Sequence, residues 1–304
     1  MASVAVLDCG SNSTRLLIVA DDATTLQREM RITRLSAGVD ASGNLSPEAL
    51  ERSYATLSEY RQMMDAHGVT RGLLVATSAV RDAINGAQFL ARAAQITGVE
   101  ARVLKGTEEA AFSYAGATRG LAPDSRATLI VDIGGGSTEL AVSLNGEVRS
   151  YSMQLGCVRV TERALGAGVV EPEGTRAAQA MIEAELDRAF EAVPQFRDLV
   201  GAARLVGLAG TVATLAQLDA GSSVYDRAAV HLRRLSREDV RSWRERLGAL
   251  SPAQRLELPG MVRGREDVLV AGLFILEAVM DRFAAHELLS SEDDILDGVA
   301  ASLL

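Results

Sequence analysis

Val131-Asp132-Ile133-Gly134-Gly135-Gly136-Ser137-Thr138-Glu139-Leu140 is the stretch on which the reading of this chain turns. Thr128-Leu129-Ile130-Val131 leads into it as an apolar run, and Leu140-Ala141-Val142 leaves it as another. Two such runs around a break predict strand, tight turn, strand. Three consecutive glycines permit positive φ and leave no side chain over the turn. A polyanion can then reach bare backbone N–H groups. Ser137 and Thr138 add hydroxyl donors. Asp132 ends the incoming strand, where a carboxylate can hold a metal ion directly or through water. Taken alone, the stretch reads equally well as a hairpin with a glycine bulge.

The same plan occurs once more. Val4-Ala5-Val6-Leu7-Asp8-Cys9-Gly10-Ser11-Asn12-Ser13-Thr14-Arg15-Leu16-Leu17-Ile18-Val19 is again a strand ending in Asp, a Gly/Ser/Asn turn and a second apolar strand. Asp8-x-Gly and Asp132-x-Gly together predict a duplicated architecture with two phosphate-facing hairpins.

Composition narrows the field. The chain has 304 residues, which suits two domains of ordinary size. Hydrophobic residues make up 48% and aromatics only 4%, so the cores must be built from Leu, Val, Ala and Ile. A net charge of -9 argues against a nucleic-acid or membrane-surface binder. Any anionic substrate must be drawn by local arginines and metal. Cys9 and Cys157 give no disulfide framework and read as small reduced fillers. Asp8 interrupts the first apolar run, so no signal peptide is expected. The run Val268 to Leu276 is shorter than the roughly 20 residues a bilayer requires. A cytoplasmic protein is expected.

Further stretches complete a pattern. These are Ala76-Thr77-Ser78-Ala79-Val80-Arg81-Asp82-Ala83, Gly106-Thr107-Glu108-Glu109-Ala110, Gly156-Cys157-Val158-Arg159 and Gly207-Leu208-Ala209-Gly210-Thr211. With the two hairpins, they resemble in order the exopolyphosphatase and guanosine pentaphosphate phosphohydrolase (Ppx/GppA) family. The hairpins resemble the phosphate loops of the wider actin, sugar-kinase and heat-shock ATPase superfamily. The resemblance implies an α/β fold. Two actin-like, ribonuclease H-like domains would each carry a mixed sheet flanked by helices, with the active site in the inter-domain cleft. Gly120-Leu121-Ala122-Pro123-Asp124-Ser125 is the expected hinge. It sets domains at 1–124 and 125–304, with the last helix free to pack back on the first.

By the same resemblance Glu109 would be the catalytic base, and Arg81 a catalytic residue that holds phosphate oxygens. The pattern assigns phosphate contacts to Gly10, Ser11, Asn12, Ser13, Arg15, Ser78, Gly134, Gly135, Gly136, Ser137, Thr138, Gly210 and Thr211. Mg²⁺, or Mn²⁺, is expected near Asp8, Asp132 and Glu139. The residues by themselves leave Glu108 and Glu109 as acids complementing a helix dipole. They leave Arg81 as a partner of Asp82, and Gly210-Thr211 as close helix–strand packing.

The implied reaction is release of terminal orthophosphate from inorganic polyphosphate, with short chains favoured. Guanosine pentaphosphate 5′-phosphohydrolase is the alternative in the same family. A non-catalytic phosphate or nucleotide sensor is the alternative from another class. An actin-like sugar kinase would need an aspartate base that no motif nominates. Neither nucleic acid nor membrane is expected as a partner, and homodimerisation is left open.

Among the remaining segments, Ser46-Pro47-Glu48 predicts a helix start, with a stripe of Leu50, Tyr54, Leu57, Tyr60 and Met64. Asn145-Gly146 predicts a two-residue hairpin turn. A third strand is expected from Leu26 to Leu35, a helix over 265–284, and a last helix beginning at Ser291-Glu292-Asp293-Asp294.

Overall fold

Strand β1 (Ser3–Cys9) is buried at every residue, as a central strand covered on both faces must be. The computed structural model in which it lies describes residues 3–304. β1 pairs antiparallel with β2 (Ser13–Ala20), and β2 with β3 (Thr25–Ile32). On its other side β1 pairs parallel with β4 (Arg71–Ala76), and β4 with β5 (Glu100–Val103). The sheet order is therefore β3-β2-β1-β4-β5.

Side chains alternate across a strand. Ala5, Leu7 and Cys9 join the core formed with the helices Pro47–Ala66 and Gly86–Thr97. Val4 and Val6 face the opposite way, against Ile295, Leu296 and Val299 of the helix Ile295–Leu303. The helix Pro47–Ala66 begins as its sequence predicts, with Ser46 Oγ accepting the Ala49 N–H at 3.2 Å. From the expected stripe, Leu57, Tyr60 and Met64 are buried, while Leu50 and Tyr54 pack at the margin. The Tyr60 hydroxyl donates to the Thr14 carbonyl at 2.9 Å, so its burial leaves no orphan.

The second sheet contains β6 (Thr128–Ile133), β7 (Thr138–Leu144), β8 (Glu147–Met153), β9 (Arg204–Leu208), β10 (Arg234–Ser236) and β11 (Glu287–Ser290). Its order is β10-β11-β9-β6-β7-β8. Read from the far edge, β8-β7-β6-β9-β11 repeats β3-β2-β1-β4-β5 strand for strand, antiparallel pairs and parallel pairs alike. The duplication foreseen from two hairpins thus extends to five strands per sheet. β10 is an antiparallel addition at the edge. Asn145 (φ +53°) and Gly146 (φ +80°) make the expected two-residue turn between β7 and β8.

Two compact units result. One runs up to Gly116 and takes back Ile295–Leu304; the other is Ala117–Asp294. The hinge expected from Gly120 to Ser125 places the division at 124/125, eight residues later in the chain than the boundary after Gly116. Among the described residues no helix is long and apolar enough to cross a membrane.

Three elements differ from expectation. β3 ends at Ile32, not Leu35, because the Thr33 and Arg34 N–H groups turn to the Asn12 carbonyl and Arg34 takes φ +49°. The helix foreseen over 265–284 begins at Leu269, after a turn in which the Val268 N–H bonds the Arg265 carbonyl. The last helix starts at Ile295, and the residues ahead of Ser291 form β11. Asp293, foreseen at a helix start, instead pairs with Arg227.

Candidate active site

In the first unit the register of β1 and β2 sets Asp8 opposite Arg15. Directly opposed residues share a face of the sheet, so the two side chains meet. Arg15 donates to Asp8 Oδ2 from Nε at 3.0 Å and from Nη2 at 2.7 Å. The turn between them is closed by the Gly10 N–H on the Ser13 carbonyl at 3.0 Å. A Cβ at Gly10 would lie 3.1 Å from that carbonyl oxygen. The Ser11 carbonyl accepts from the Ser36 N–H at 2.9 Å. The Asn12 carbonyl accepts from Thr33 at 3.1 Å and Arg34 at 2.9 Å. In a trans peptide, N–H and C=O point opposite ways. Tying these carbonyls back therefore turns the N–H groups of Asn12 and Ser13 away from segment 33–36.

Ser11 Oγ lies 3.0 Å from Ser78 Oγ, which brings the short helix Ser78–Asp82 against the turn. Arg81 leaves the end of that helix. Its Nη1 donates to the Leu104 carbonyl at 3.1 Å and lies 3.6 Å from Glu109 Oε2; Asp82 is further, at 4.0 Å from Nε. The buried Nη2 of Arg81 has no hydrogen-bond partner among the described residues.

The two neighbouring acids have separate surroundings. Glu109 is 8% exposed. Glu108 reaches back to accept the Lys105 N–H at 3.0 Å and Arg102 Nη1 at 2.8 Å, at the start of the helix Gly106–Thr118. The Lys105 N–H and then Arg102 hold the Glu108 carboxyl below its ordinary range.

The second unit repeats the turn. Asp132 stands opposite Glu139, and Ile133 opposite Thr138. The Gly134 N–H closes the turn on the Ser137 carbonyl at 3.0 Å, the counterpart of the Gly10 bond. The Gly134 carbonyl accepts from Cys157 at 2.9 Å, and the Gly135 carbonyl from Val158 at 2.9 Å and Arg159 at 3.3 Å. By the same peptide geometry, the N–H groups of Gly135 and Gly136 face away from that brace. Gly156 makes the approach possible, since a Cβ there would sit 2.5 Å from both carbonyl oxygens. Gly156 carries no local sequence signal for this bracing role. The buried Thr138 Oγ1 has no hydrogen-bond partner among the described residues. Glu139 Oε1 accepts from Ser152 Oγ at 2.7 Å.

Also in this unit, β9 runs into the helix Ala209–Ala220 through Ala209 at φ +62°. A non-glycine residue in that region marks a turn held by its surroundings. The Arg265 guanidinium covers Gly210 so closely that an added Cβ would meet Nη1 at 1.4 Å. Thr211 packs toward Gly272, where an added Cβ would lie 2.3 Å from its hydroxyl oxygen. Gly210 and Thr211 are thus closely packed, but against the Arg265 side chain and the helix Leu269–Arg282, not against a strand as expected. Arg265 was not foreseen, since a lone arginine before a helix carries no sequence signal. Burial above all pushes the Cys157 thiol up to about 11 and drives the Cys9 thiol higher still, so both stay protonated.

The second unit offers two carboxylates that could hold a metal. Asp132 and Glu139 are 9% and 2% exposed, opposed on one sheet face. Mg²⁺ is commonly held by one or two carboxylates, with water and substrate phosphates completing its shell. This pair fits that donor set. Among the described residues there is no ready cage of three or more His, Cys, Asp or Glu. Asp8 is placed differently, because Arg15 already covers its Oδ2.

A profile of the Ppx/GppA phosphatase family matches residues 16–304. The chain belongs to the Ppx/GppA phosphatase family. It is 38% identical to exopolyphosphatase 2 of Mycobacterium tuberculosis over 319 aligned positions, covering 100% of this chain and 99% of the relative. It is 33% identical to an exopolyphosphatase-like protein of known crystal structure, with a TM-score of 0.93 and 100% of both chains covered. An exopolyphosphatase of Cytophaga hutchinsonii is 25% identical with a TM-score of 0.86, covering 99% of this chain and 97% of that one. The two mixed sheets flanked by helices, each with its glycine turn, are thus the Ppx/GppA fold.

Proposed function

We propose that this Ppx/GppA chain is an exopolyphosphatase that releases terminal orthophosphate from inorganic polyphosphate, acts in the cytoplasm and favours short chains. The observation that carries the substrate is the full-length similarity to exopolyphosphatase 2. The geometry supports how the chemistry would run. Each unit supplies one turn whose carbonyls are tied back and whose N–H groups face outward. Such groups suit phosphate oxygens, and phosphoryl transfer needs chiefly positioning and charge stabilisation. Ser11, Ser13, Ser78, Ser137 and Thr138 add hydroxyls to the turns, and Arg81 adds a guanidinium to the first.

Water attacks the terminal phosphorus, the bridging P–O bond breaks, and the chain leaves one phosphate shorter. Glu109, beside Arg81, accepts the proton of the attacking water. Arg15, oriented by Asp8 beside the first turn, brings positive charge to the phosphate. Asp132 and Glu139 would hold Mg²⁺ or Mn²⁺, which neutralises non-bridging oxygens when bound. Gly210 and Thr211 shape the turn under Arg265.

Guanosine pentaphosphate is the second substrate to test, because the family is named for both activities. The experiment is orthophosphate release from tripolyphosphate and guanosine pentaphosphate side by side, with Mg²⁺ and with excess chelator. The proposal expects release from tripolyphosphate that depends on the cation. Release from the nucleotide alone would replace the substrate, and undiminished turnover in chelator would remove the metal. Binding of either compound with no release would make the chain a sensor.

A further inference from the structure

Arg255 is only 1% exposed, deep in the unit Ala117–Asp294. Its guanidinium bonds four backbone carbonyls. Nε donates to Leu247 at 2.8 Å, Nη1 to Ala167 at 3.1 Å and Glu266 at 2.8 Å, and Nη2 to Gly168 at 2.6 Å. A planar guanidinium presents five N–H donors in a fixed fork, so it can fix the spacing of several segments at once. Burial lowers its pKa, while the neighbouring Asp267 charge raises it.

Two of the segments lead to the phosphate-facing turns. Ala167 and Gly168 follow the single π-helical turn Thr161–Leu165, which continues the helix Cys157–Val160. That helix donates the N–H groups that hold the Gly134 and Gly135 carbonyls. Glu266 follows Arg265, whose guanidinium lies over Gly210. One buried cation thus reaches the brace of one turn and the cover of another.

We propose that Arg255 is a positioning residue for phosphate transfer: it sets the bracing helix of the Gly134–Gly136 turn and the Arg265 cover of the Gly210 turn at a fixed distance from each other. Its kinetic consequence rests on the exopolyphosphatase reading; its structural consequence does not.

The test compares Arg255→Lys with Phe196→Leu. Lysine keeps the charge but has three donors for four carbonyls and no planar fork. Phe196→Leu trims the Phe190, Phe196 and Phe283 ring cluster, remote in sequence from both turns, and serves as a stability match. Amide hydrogen exchange at 134–136, 157–159 and 209–211 is read with kcat and KM for tripolyphosphate, at temperatures giving equal folded fractions. Arg255→Lys should exchange faster at those amides and lose about 10- to 100-fold in kcat/KM, since a misplacement near 1 Å can cost that much. Phe196→Leu removes none of the four carbonyl bonds and should change neither by more than about twofold, the usual coupling of sites that share no partner.

Equal exchange and equal kinetics in the two matched variants would overturn the proposal. If Arg255→Lys does not fold, hydrogen exchange of the wild type in rising denaturant decides: amides 134–136, 157–159 and 209–211 should open together as one unit, and separate opening overturns the proposal equally. If the wild-type protein releases no phosphate from tripolyphosphate, the functional reading fails, and the exchange comparison alone decides Arg255.

Discussion

Glu108 and Glu109 are adjacent identical side chains in different surroundings, and the sequence by itself could not divide them. Two acids in a first helical turn satisfy the same dipole rule. Resemblance favoured Glu109 as the base. Geometry adds a physical difference: Glu108 is tied to Lys105 and Arg102, whereas Glu109 is buried beside Arg81. Arg15 shows the converse. It was expected on phosphate, yet its donors on Asp8 follow from strand register, which no local pattern reveals. Asp132 carries a prediction at this scale. Asp132→Asn removes one of two opposed carboxylates while keeping the shape of β6. The variant should fold as wild type and need more Mg²⁺ for half-maximal rate, with a lower rate at saturation. A Mg²⁺ titration of phosphate release reads this; an unchanged titration would leave Asp132 structural.

At the scale of elements, hairpins and capped helices were legible because their signals are local. Asn145-Gly146 and Ser46-Pro47 illustrate this. β10 and β11 were not legible. Three and four residues are too few to show alternation, and their pairing partners come from distant sequence. The brace at Gly156 was equally hidden, because a close approach between backbones leaves no periodicity. Gly156→Ala should cost about 1–3 kcal/mol through overpacking. It should also raise KM for tripolyphosphate, since the strain falls on Gly134 and Gly135. Melting curves and steady-state kinetics read the two effects; an unchanged KM would show the turn indifferent to its brace.

The helix Leu269–Arg282 carries a pH prediction. Burial opposes charge on Glu277, but hydrogen bonds from Arg241 and Arg244 outweigh it and hold the carboxyl below its ordinary 4.5. A lowered folded pKa contributes stability that is full above the unfolded value and lost as pH falls through the folded one. Glu277→Gln should therefore cost about 1 kcal/mol at pH 7, the difference between charged and neutral hydrogen bonds. The gap from wild type should close as pH falls below 4.5. Denaturant melts at pH 7 and pH 3 would show it; a gap that is constant with pH would contradict the assignment.

For the whole molecule, duplication was legible from two hairpins, and the structure extends it to five equivalent strands in each sheet. The return of Ile295–Leu304 to the first unit depends on apolar residues meeting across nearly the whole chain length, which local reading leaves open. Net charge -9 is also a property of this scale. A long polyanion gains little beyond the terminal contacts and is repelled by the rest of the surface. Tripolyphosphate should therefore be cleaved with higher kcat/KM than chains of hundreds of phosphates, with the difference shrinking as salt screens the charge. Equal efficiency at low salt would point to a basic path for the chain. In the proposed reaction everything turns on Glu109 activating water for attack on a terminal phosphate. The measurement that tests it most directly is orthophosphate release from tripolyphosphate by Glu109→Gln against wild type, with a thermal melt of each. The melt should be unchanged and the rate lower by about 10²–10⁴-fold, the usual contribution of a positioned base. A folded Glu109→Gln protein that releases phosphate at the wild-type rate would contradict it.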